Sequence, residues 1–346
     1  MKRLLLALAA TVLAFSASAA TPKKTAVKRA PTKKAAVQKA AKPAVSAPVE
    51  TAHRKTPYVG AISMDAATGR VLFEDRADVE AYPASVTKLM TLLLVMEDVK
   101  QGKYGYDDKV EATADAYKSE PSWVGIKVGE KMSVRDLCTA LMVESANDAA
   151  IVLGVHSAGS FDAFIARMNA RAAGLGMKNT KYYNPNGLPP NAGKRYPWKS
   201  FNVSTARDQA VLARALVKMP EVLALTSVKT CDLIKTADGF RVAVTRRVNE
   251  PAVATSPVNG ERIIKQMCNH NNVMVKDKEK IFNPDGTEAV DGLKTGYIDA
   301  GGSSIVLTGK RKGKRAIVVV LGSSSSKVRD EQVRHLMNDA LGSLAW

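Results

Sequence analysis

The stretch YPASVTKLM, residues 82–90, places a serine and a lysine three positions apart at the start of a strongly apolar segment. One turn of α-helix brings residues i and i+3 to the same face, so Ser85 and Lys88 are expected to be neighbours. The segment is apolar on nearly every side through residues 85–99, which predicts a helix buried all round. Ser85 and Lys88 therefore form either an ordinary helix cap with a surface lysine or a nucleophile with its base.

The patterns of the rest of the chain place strands at both ends and helices between them. Two short strands around an Asp-to-Gly turn are predicted from Tyr58 to about residue 75, and a tight hairpin of buried strands is predicted near the C-terminal end. Apolar residues recur at helical spacing in four segments, 133–155, 160–174, 204–218 and 327–344. This order predicts an α+β domain, with one sheet flanked by helices and a helical lobe inserted midway.

A second polar group lies in the stretch ESAND, residues 144–148, inside an otherwise apolar helical region. Its Ser145 and Asn147 supply a hydroxyl and a carboxamide. Such groups can relay a proton and hydrogen-bond a substrate amide. A Ser-x-Asn triplet occurs often by chance, so it is informative only if it converges with Ser85.

A third group lies in the stretch DGLKTGY, residues 291–297, just before the final hairpin. Lys294 and Thr295 together suit a carboxylate ligand. Gly296 lies in a predicted strand, where a glycine often marks the close approach of a ligand to the backbone. Three such groups in this order, each at the boundary of an element, are a strong signal together although each is weak alone.

These groups and their surroundings resemble the low-molecular-weight penicillin-binding proteins, the D-alanyl-D-alanine carboxypeptidase/endopeptidase family. The likeness covers the chain from residue 57 onward and rests on PASVTKLMT, SANDAAIVL, MNARAAGLGMKNTKYYNPNGL, STARDQAVLARAL and DGLKTGYIDAGG. The resemblance implies a β-lactamase/transpeptidase-like α+β fold. In that fold a five-stranded antiparallel sheet is flanked by helices, and the active site lies where the sheet meets the helical lobe.

The resemblance also implies a role for each residue of the three groups. Ser85 would be the acylated nucleophile, Lys88 the group that takes its proton, and Ser145 the shuttle to the leaving amine. The implied substrate-binding residues are Asn147, Lys294, Thr295, Gly296 and Tyr297, with the backbone N–H groups of Ser85 and Tyr297 as the oxyanion hole. Burial beside a second cation would lower the pKa of Lys88 and favour the neutral amine that a base requires.

The implied function is a serine-type D-alanyl-D-alanine peptidase that acts on peptidoglycan stem peptides through an acyl-Ser85 intermediate. A D,D-carboxypeptidase is the first expectation, and a D,D-endopeptidase that cleaves peptide cross-links is the alternative. β-Lactams are expected as covalent inhibitors. A β-lactamase is disfavoured because no Glu-x-x-Leu-Asn stretch lies between Asn147 and Lys294. A non-catalytic penicillin-binding receptor is disfavoured because all three groups are intact.

The N-terminal residues predict an exported protein. Two basic residues, an apolar run and an Ala-x-Ala site at 17–19 predict a signal peptide over residues 1–19, and hence a periplasmic enzyme. Residues 20–56 are rich in Lys, Ala and Pro and predict a disordered linker. Residues 1–56 hold 12 of the 51 basic residues and one of the 33 acidic ones, so most of the net charge of +18 lies there.

This basic linker is expected either to lie on anionic wall polymers or lipid headgroups or to be a plain spacer. Nucleic acid is disfavoured as a partner because the protein is expected to be exported. Residues 57–346 are predicted to form one catalytic domain with no further C-terminal domain. Within it, residues 232–262 are predicted to form an extended hairpin or loop near the cleft, which either shapes substrate choice or is a plain insertion.

Cysteine and histidine contribute little to the predicted chemistry. Cys231 and Cys268 flank the long insertion, and their pairing in a disulfide is favoured slightly over free thiols in an oxidising compartment. Cys138 is predicted to be a buried core residue. The four histidines lack metal-ligand spacing, so no metal and no cofactor are expected, and a structural role is predicted for His270.

Overall fold

The computed structural model describes residues 56–113, 116, 121–190 and 200–345, so the predicted signal peptide and nearly all of the predicted linker lie outside the described residues. The described chain is built on a five-stranded antiparallel sheet, which together with its flanking helices confirms the predicted fold class. The strands, in their order across the sheet, are β2 (Val71–Asp75), β1 (Gly60–Asp65), β10 (Lys314–Ser323), β9 (Gly302–Arg311) and β8 (Val290–Ile298).

Both faces of this sheet are covered, because alternate residues of its central strands enter two different cores. On one face the strand residues Ile305, Leu307, Val318 and Val320 pack with the C-terminal helix α8 (Ser326–Leu344). On the other face Val306, Ile317, Val319 and Leu321 join the core of the helical lobe. The near-continuous apolar runs of β9 and β10 follow from this burial on both sides.

The helical lobe is inserted between β2 and β8, as the order of the sequence patterns predicts. A 3-10 turn (Ala84–Thr87) leads into α1 (Lys88–Lys100), which is buried along most of its length. The other helices of this part are α2 (Val134–Val143), α3 (Asn147–Ala158), α4 (Phe161–Leu175), α5 (Ala206–Leu216) and α6 (Pro220–Thr226). A short two-stranded sheet of β3 (Lys109–Glu111) and β4 (Lys131–Ser133) precedes α2.

The single helical pattern over residues 133–155 is wrong as a continuous helix, because the chain breaks between α2 and α3. Ser145 lies in this break with a φ of 60°, a left-handed conformation that a helix cannot contain. Apolar periodicity continues through the break because both helices bury their residues in the same core. The break places Ser145 and Asn147 at the end of one helix and the start of the next.

The long stretch around residues 232–262 is part of a second sheet. Its strands are β5 (Val228–Lys235), β6 (Phe240–Arg247) and β7 (Arg262–Cys268), and β5 is central. The predicted hairpin corresponds to β5 and β6, which pair from Val228–Arg247 to Lys235–Phe240. A single turn of helix, α7 (Asn272–Val275), follows β7 and leads toward β8.

The favoured disulfide between Cys231 and Cys268 is wrong, since all three cysteines are free. In the β5–β7 ladder Cys231 lies opposite Met267, and Thr230 lies opposite Cys268. The two cysteines are therefore one register position apart, and neighbouring positions along a strand point to opposite faces. Cys231 is accordingly buried, whereas Cys268 is exposed. Cys138 is buried in the core of the lobe, where we predicted it.

Within the described ranges, no single helix is long and apolar enough to cross a membrane. The helices α3 and α4 meet the length and composition test only as a pair, with a bend of 86° between them.

Candidate active site

The nucleophile turn, residues 83–87, brings Ser85 to the wall of a cleft between the helical lobe and the edge strand β8. Ala84 has a φ of 49°, a left-handed conformation that costs free energy in a non-glycine residue. Two glycines allow close approach to this turn. A Cβ on Gly187 would lie 1.8 Å from the Ala84 carbonyl oxygen, and one on Gly296 would lie 2.7 Å from that of Pro83.

Lys88 lies one helical turn after Ser85 and is completely buried, with 0% exposure. Its Nζ contacts three oxygens: Ser85 Oγ at 2.9 Å, Asn147 Oδ1 at 2.7 Å and the Asn186 carbonyl oxygen at 2.8 Å. The structure thus brings together two of the three groups predicted from the sequence. It excludes the alternative in which Lys88 is a solvated surface residue.

These contacts indicate which way the proton lies between Ser85 and Lys88. Burial, followed by the positive charge of Lys294, holds the pKa of Lys88 well below its ordinary value, although Asp148 opposes the shift. A neutral amine has two N–H donors and one lone pair. The oxygens of Asn147 and Asn186 can only accept, so both donors are engaged there. In that neutral form the lone pair is left for Ser85, whose hydroxyl would donate to it.

Ser145 and Asn147 lie in the break between α2 and α3, and both line the cleft. The Asn147 backbone N–H donates to the Ser122 carbonyl oxygen at 2.8 Å, which ties this break to the segment 121–126. The Asp148 carboxylate accepts from backbone N–H groups of that segment, including Gly125 at 2.8 Å. These hydrogen bonds tie the two residues Asn147 and Asp148 to the segment 121–126, and so help to hold the strained φ of Ser145.

The third group lies on β8, across the cleft from the nucleophile turn. Lys294 is buried, and its Nζ donates to the Thr295 carbonyl oxygen at 3.0 Å. Burial, followed by the charge of Arg329, lowers the pKa of Lys294 to about 7. Thr295, Gly296 and Tyr297 line the cleft. The Tyr297 side chain is 61% exposed and donates its O–H to Asp299 Oδ1, so its ring is not part of the buried site.

Two further residues line the cleft, and one of them, Arg329, was not identified from the sequence. Arg329, in the first turn of α8, lines the cleft, and its guanidinium donates to Asp330 Oδ1 at 2.8 and 2.6 Å. His270 also lines the cleft, and the structural role that we favour for it stays a prediction. Desolvation, followed by the nearby charge of Lys294, lowers the pKa of His270 to about 4, which leaves the imidazole neutral at pH 7.

The cleft has a volume of about 320 Å³ and a clear bias of charge. Its described lining residues include Arg329 and no acidic residue, and the buried Lys294 lies beside it. This arrangement favours a ligand that ends in an anionic group. Across the described ranges, no group of three or more His, Cys, Asp or Glu side chains is placed to hold a metal ion.

The fold is shared with a solved penicillin-binding protein. The crystal structure of penicillin-binding protein D2 from Listeria monocytogenes, in its cefotaxime-bound form, matches with a TM-score of 0.62 and 28% sequence identity. The match covers 82% of this chain and 97% of that chain. The fold is therefore that of the penicillin-binding proteins.

Sequence comparison identifies the family. Residues 48–325 match the family described as D-alanyl-D-alanine carboxypeptidase. D-alanyl-D-alanine carboxypeptidase DacF from Bacillus subtilis is 30% identical over 281 residues, which cover 81% of this chain and 61% of that protein. A D-alanyl-D-alanine endopeptidase from Pseudomonas aeruginosa is 35% identical over 158 residues, which cover 45% of this chain and 46% of that protein.

The chain therefore belongs to the D-alanyl-D-alanine carboxypeptidase family of low-molecular-weight penicillin-binding proteins, which confirms the resemblance of the sequence motifs. It spans about three fifths of the length of the carboxypeptidases that it matches.

The contact between β8 and the nucleophile turn predicts a cost for any side chain at Gly296. In Gly296→Ala the new Cβ would lie 2.7 Å from Pro83 O and 3.0 Å from the Ser85 nitrogen, so one element must shift. We expect the free energy of unfolding to fall by about 1–3 kcal/mol in urea denaturation.

The matched control for this substitution is Gly342→Ala in α8, where a Cβ meets nothing within 4 Å. Because alanine is the better helix former, this control should raise the free energy of unfolding by up to about 1 kcal/mol. Equal effects of the two substitutions would contradict the close packing at Gly296.

Proposed function

We propose that the protein is a serine-type D-alanyl-D-alanine peptidase that acts on peptidoglycan stem peptides through an ester formed at Ser85 Oγ. The observation that carries the proposal is the contact of 2.9 Å between Ser85 Oγ and the buried Lys88 Nζ. A hydroxyl is a weak nucleophile unless a base takes its proton, and burial lowers the pKa of Lys88, which favours the neutral form that can do so.

Acylation begins when Ser85 Oγ attacks the carbonyl carbon of the penultimate D-alanine. The Ser85 proton passes to Lys88, and the carbonyl oxygen gains the negative charge of the tetrahedral intermediate. The backbone N–H groups of Ser85 and Tyr297 are the donors proposed for this oxyanion. Each such donor lowers the barrier by roughly 3 kcal/mol in enzymes where it has been removed by mutation.

Collapse of the intermediate breaks the C–N bond and requires a proton on the leaving amine. Ser145 is the proposed shuttle, because it lines the cleft next to Asn147, which also contacts Lys88. The proton that Lys88 accepted would reach the amine through the Ser145 hydroxyl. A water molecule then attacks the acyl-Ser85 carbonyl, and the same groups return the proton to Ser85 Oγ.

The cationic side of the cleft supports recognition of a terminal carboxylate. Lys294 and Thr295 are the proposed ligands of that carboxylate, and Asn147 is the proposed ligand of the substrate backbone. Arg329 is added to this set because it lines the same cleft and its positive charge lies close to Lys294. An anion there would be met by charges that are already fixed in position.

A D,D-carboxypeptidase is the first proposal for the reaction, because the matched family and DacF carry that name. A D,D-endopeptidase is the second candidate, because the endopeptidase of Pseudomonas aeruginosa is 35% identical over its matched part. The two reactions share the acyl-enzyme and differ in the leaving amine. A carboxypeptidase releases free D-alanine, whereas an endopeptidase releases the amine of a cross-linked stem peptide.

Defined substrates separate the two reactions. Purified residues 20–346 would be incubated with a stem pentapeptide that ends in D-Ala-D-Ala and, separately, with a D,D-cross-linked dimer, and products followed by mass spectrometry. We expect loss of one alanine from the pentapeptide, with the dimer largely intact. Splitting of the dimer with the pentapeptide intact would support the endopeptidase instead, and turnover of neither would contradict the proposed function.

Covalent labelling by a fluorescent penicillin tests the assignment of the nucleophile. Ser85→Ala removes the attacking oxygen, so labelling should be lost in gel fluorescence, whereas Ser157→Ala, a serine outside the cleft, should leave it unchanged. Because no Glu-x-x-Leu-Asn stretch is present, the label should persist for long times on the wild-type protein. Labelling that survives in Ser85→Ala would overturn the assignment.

The lowered pKa of Lys294 predicts how penicillin acylation depends on pH. Lys294 is positively charged below about pH 7 and becomes neutral as pH rises through that value, so its attraction for the penicillin carboxylate is lost. We therefore expect the second-order rate constant of acylation to fall as the pH rises above about 7. It can be measured by labelling with fluorescent penicillin that is quenched at timed intervals.

Two controls isolate Lys294 in this pH profile. A penicillin methyl ester has no carboxylate, and in Lys294→Arg the side chain stays charged throughout the range. Both should lose the alkaline fall in the acylation rate. A fall of the same size in both controls would assign the titration to another group.

Export to the periplasm is part of the proposal, since the proposed substrate lies outside the cytoplasm. The signal peptide predicted at 1–19 supports it. Fractionation of cells, with mass spectrometry of the N-terminus, should find a periplasmic protein that starts at Ala20.

For the basic linker, residues 20–56, the test is co-sedimentation with isolated cell walls at low and high salt. Equal sedimentation without the linker would identify it as a spacer.

A further inference from the structure

The loop that carries Ser145 interrupts the regular structure of the cleft wall. Ser145 and Ala146 lie between two helices, and the facing segment 121–126 contains no helix or strand. Ser145 also holds a φ of 60°. A residue in such a conformation persists only when its surroundings fix it, so the contacts that hold this loop bear on the site.

The side chain of Lys265 contacts both the Ser145 loop and the facing segment 121–126, although Lys265 belongs to neither. Lys265, on β7 of the three-stranded sheet, donates from Nζ to Glu144 Oε1 at 2.8 Å and to the Trp123 carbonyl oxygen at 3.1 Å. Glu144 immediately precedes Ser145, and Trp123 immediately follows Ser122. The Ser122 carbonyl oxygen in turn accepts the Asn147 backbone N–H. Lys265 therefore links Glu144, which precedes Ser145, and Trp123, in the facing segment, to strand β7.

The surroundings of this contact favour a structural function over a surface ion pair. The Glu144 side chain is only 17% exposed, and that of Lys265 is 37% exposed. One of the two acceptors is a backbone carbonyl, which fixes the position of the main chain as well as that of a carboxylate. The Lys265 strand is also anchored along β5, from Thr230–Cys268 to Lys235–Arg262.

We propose that Lys265 is a positioning residue that keeps the Ser145 loop at the correct position relative to Lys88. The three-stranded sheet thereby supports the chemistry of the cleft. The proposal rests on the proposed function, because Ser145 is taken as the proton shuttle. Loss of Lys265 frees the Glu144 and Trp123 sides of the loop. Ser145 and Asn147 then leave the geometry that proton transfer needs, although Ser85 and Lys88 remain in place.

The chain offers a matched control in Lys235 on β5. Lys235 Nζ donates to Glu130 Oε1 at 2.5 Å, and this pair also joins the three-stranded sheet to the helical part of the chain. Its side chains are exposed to a similar degree, 29% for Lys235 and 19% for Glu130. Neither residue lines the cleft. Lys265→Met and Lys235→Met therefore remove comparable ion pairs, and only one of them touches the loop.

The experiment measures the acylation rate constant with fluorescent penicillin and the thermal midpoint of four proteins: wild type, Lys265→Met, Lys265→Arg and Lys235→Met. We expect Lys265→Met to slow acylation by at least about tenfold, because small displacements of a catalytic group are costly. Lys265→Arg keeps a charged donor and should recover most of the rate. Lys235→Met should stay within about twofold of wild type with a similar loss in thermal midpoint, as for a partly exposed ion pair.

Equal acylation rates in Lys265→Met and Lys235→Met would overturn the proposal. Hydrogen exchange provides a readout that does not depend on activity, and so separates this proposal from the proposed function. Backbone amides of residues 122–126 and 144–148 should exchange faster in Lys265→Met than in Lys235→Met. If wild type is not acylated by penicillin, the proposed function fails, while unequal exchange still supports Lys265 as the residue that holds the loop.

Discussion

The buried amine of Lys88 is the constraint on which the rest of the structure depends. A charged ammonium at 0% exposure would be costly, and the three oxygens around Nζ include no carboxylate to offset it. The neutral form fits the site, with two N–H groups donated to Asn147 and Asn186 and the lone pair directed at Ser85. The same environment that disfavours the positive charge therefore suits the role of base that we propose for Lys88, so stability and the proposed chemistry impose the same requirement on this residue.

This arrangement requires three distant parts of the chain to meet within a few ångströms. The nucleophile turn and the start of α1 supply Ser85 and Lys88, the break after α2 supplies Asn147, and the segment near Gly187 supplies a carbonyl oxygen. Strand β8 closes the site from the other side and brings the second buried lysine. Close approach explains the glycines at positions 187 and 296, because a Cβ at either would overlap backbone atoms of the turn. Ala84, in the turn that carries Ser85, and Ser145, in the break after α2, both have strained left-handed conformations. Such strained residues cluster at functional sites in proteins.

The sequence predicts the strongly periodic parts of the molecule and the three polar groups. The first strand, the final hairpin and the last helix follow from local apolar patterns, because their apolar residues enter the two cores. The break at Ser145 is not predictable from periodicity, since both helices bury residues in one core. Arg329 carries no motif, and only folding brings the first turn of α8 to the cleft. Likewise, the separation of Cys231 from Cys268 depends on a strand register that differs by one residue.

The most direct test is the charge of Lys88 in the free protein. Its side-chain resonance, in lysine-labelled protein, can be assigned by its disappearance in Lys88→Met and followed through a pH titration. The account predicts that this amine becomes neutral at a pH well below that of the exposed lysines, which remain charged up to their ordinary pKa of about 10.4. A Lys88 resonance that stays that of an ammonium until about pH 10 would contradict the role of Lys88 as the base, whatever the substrate proves to be.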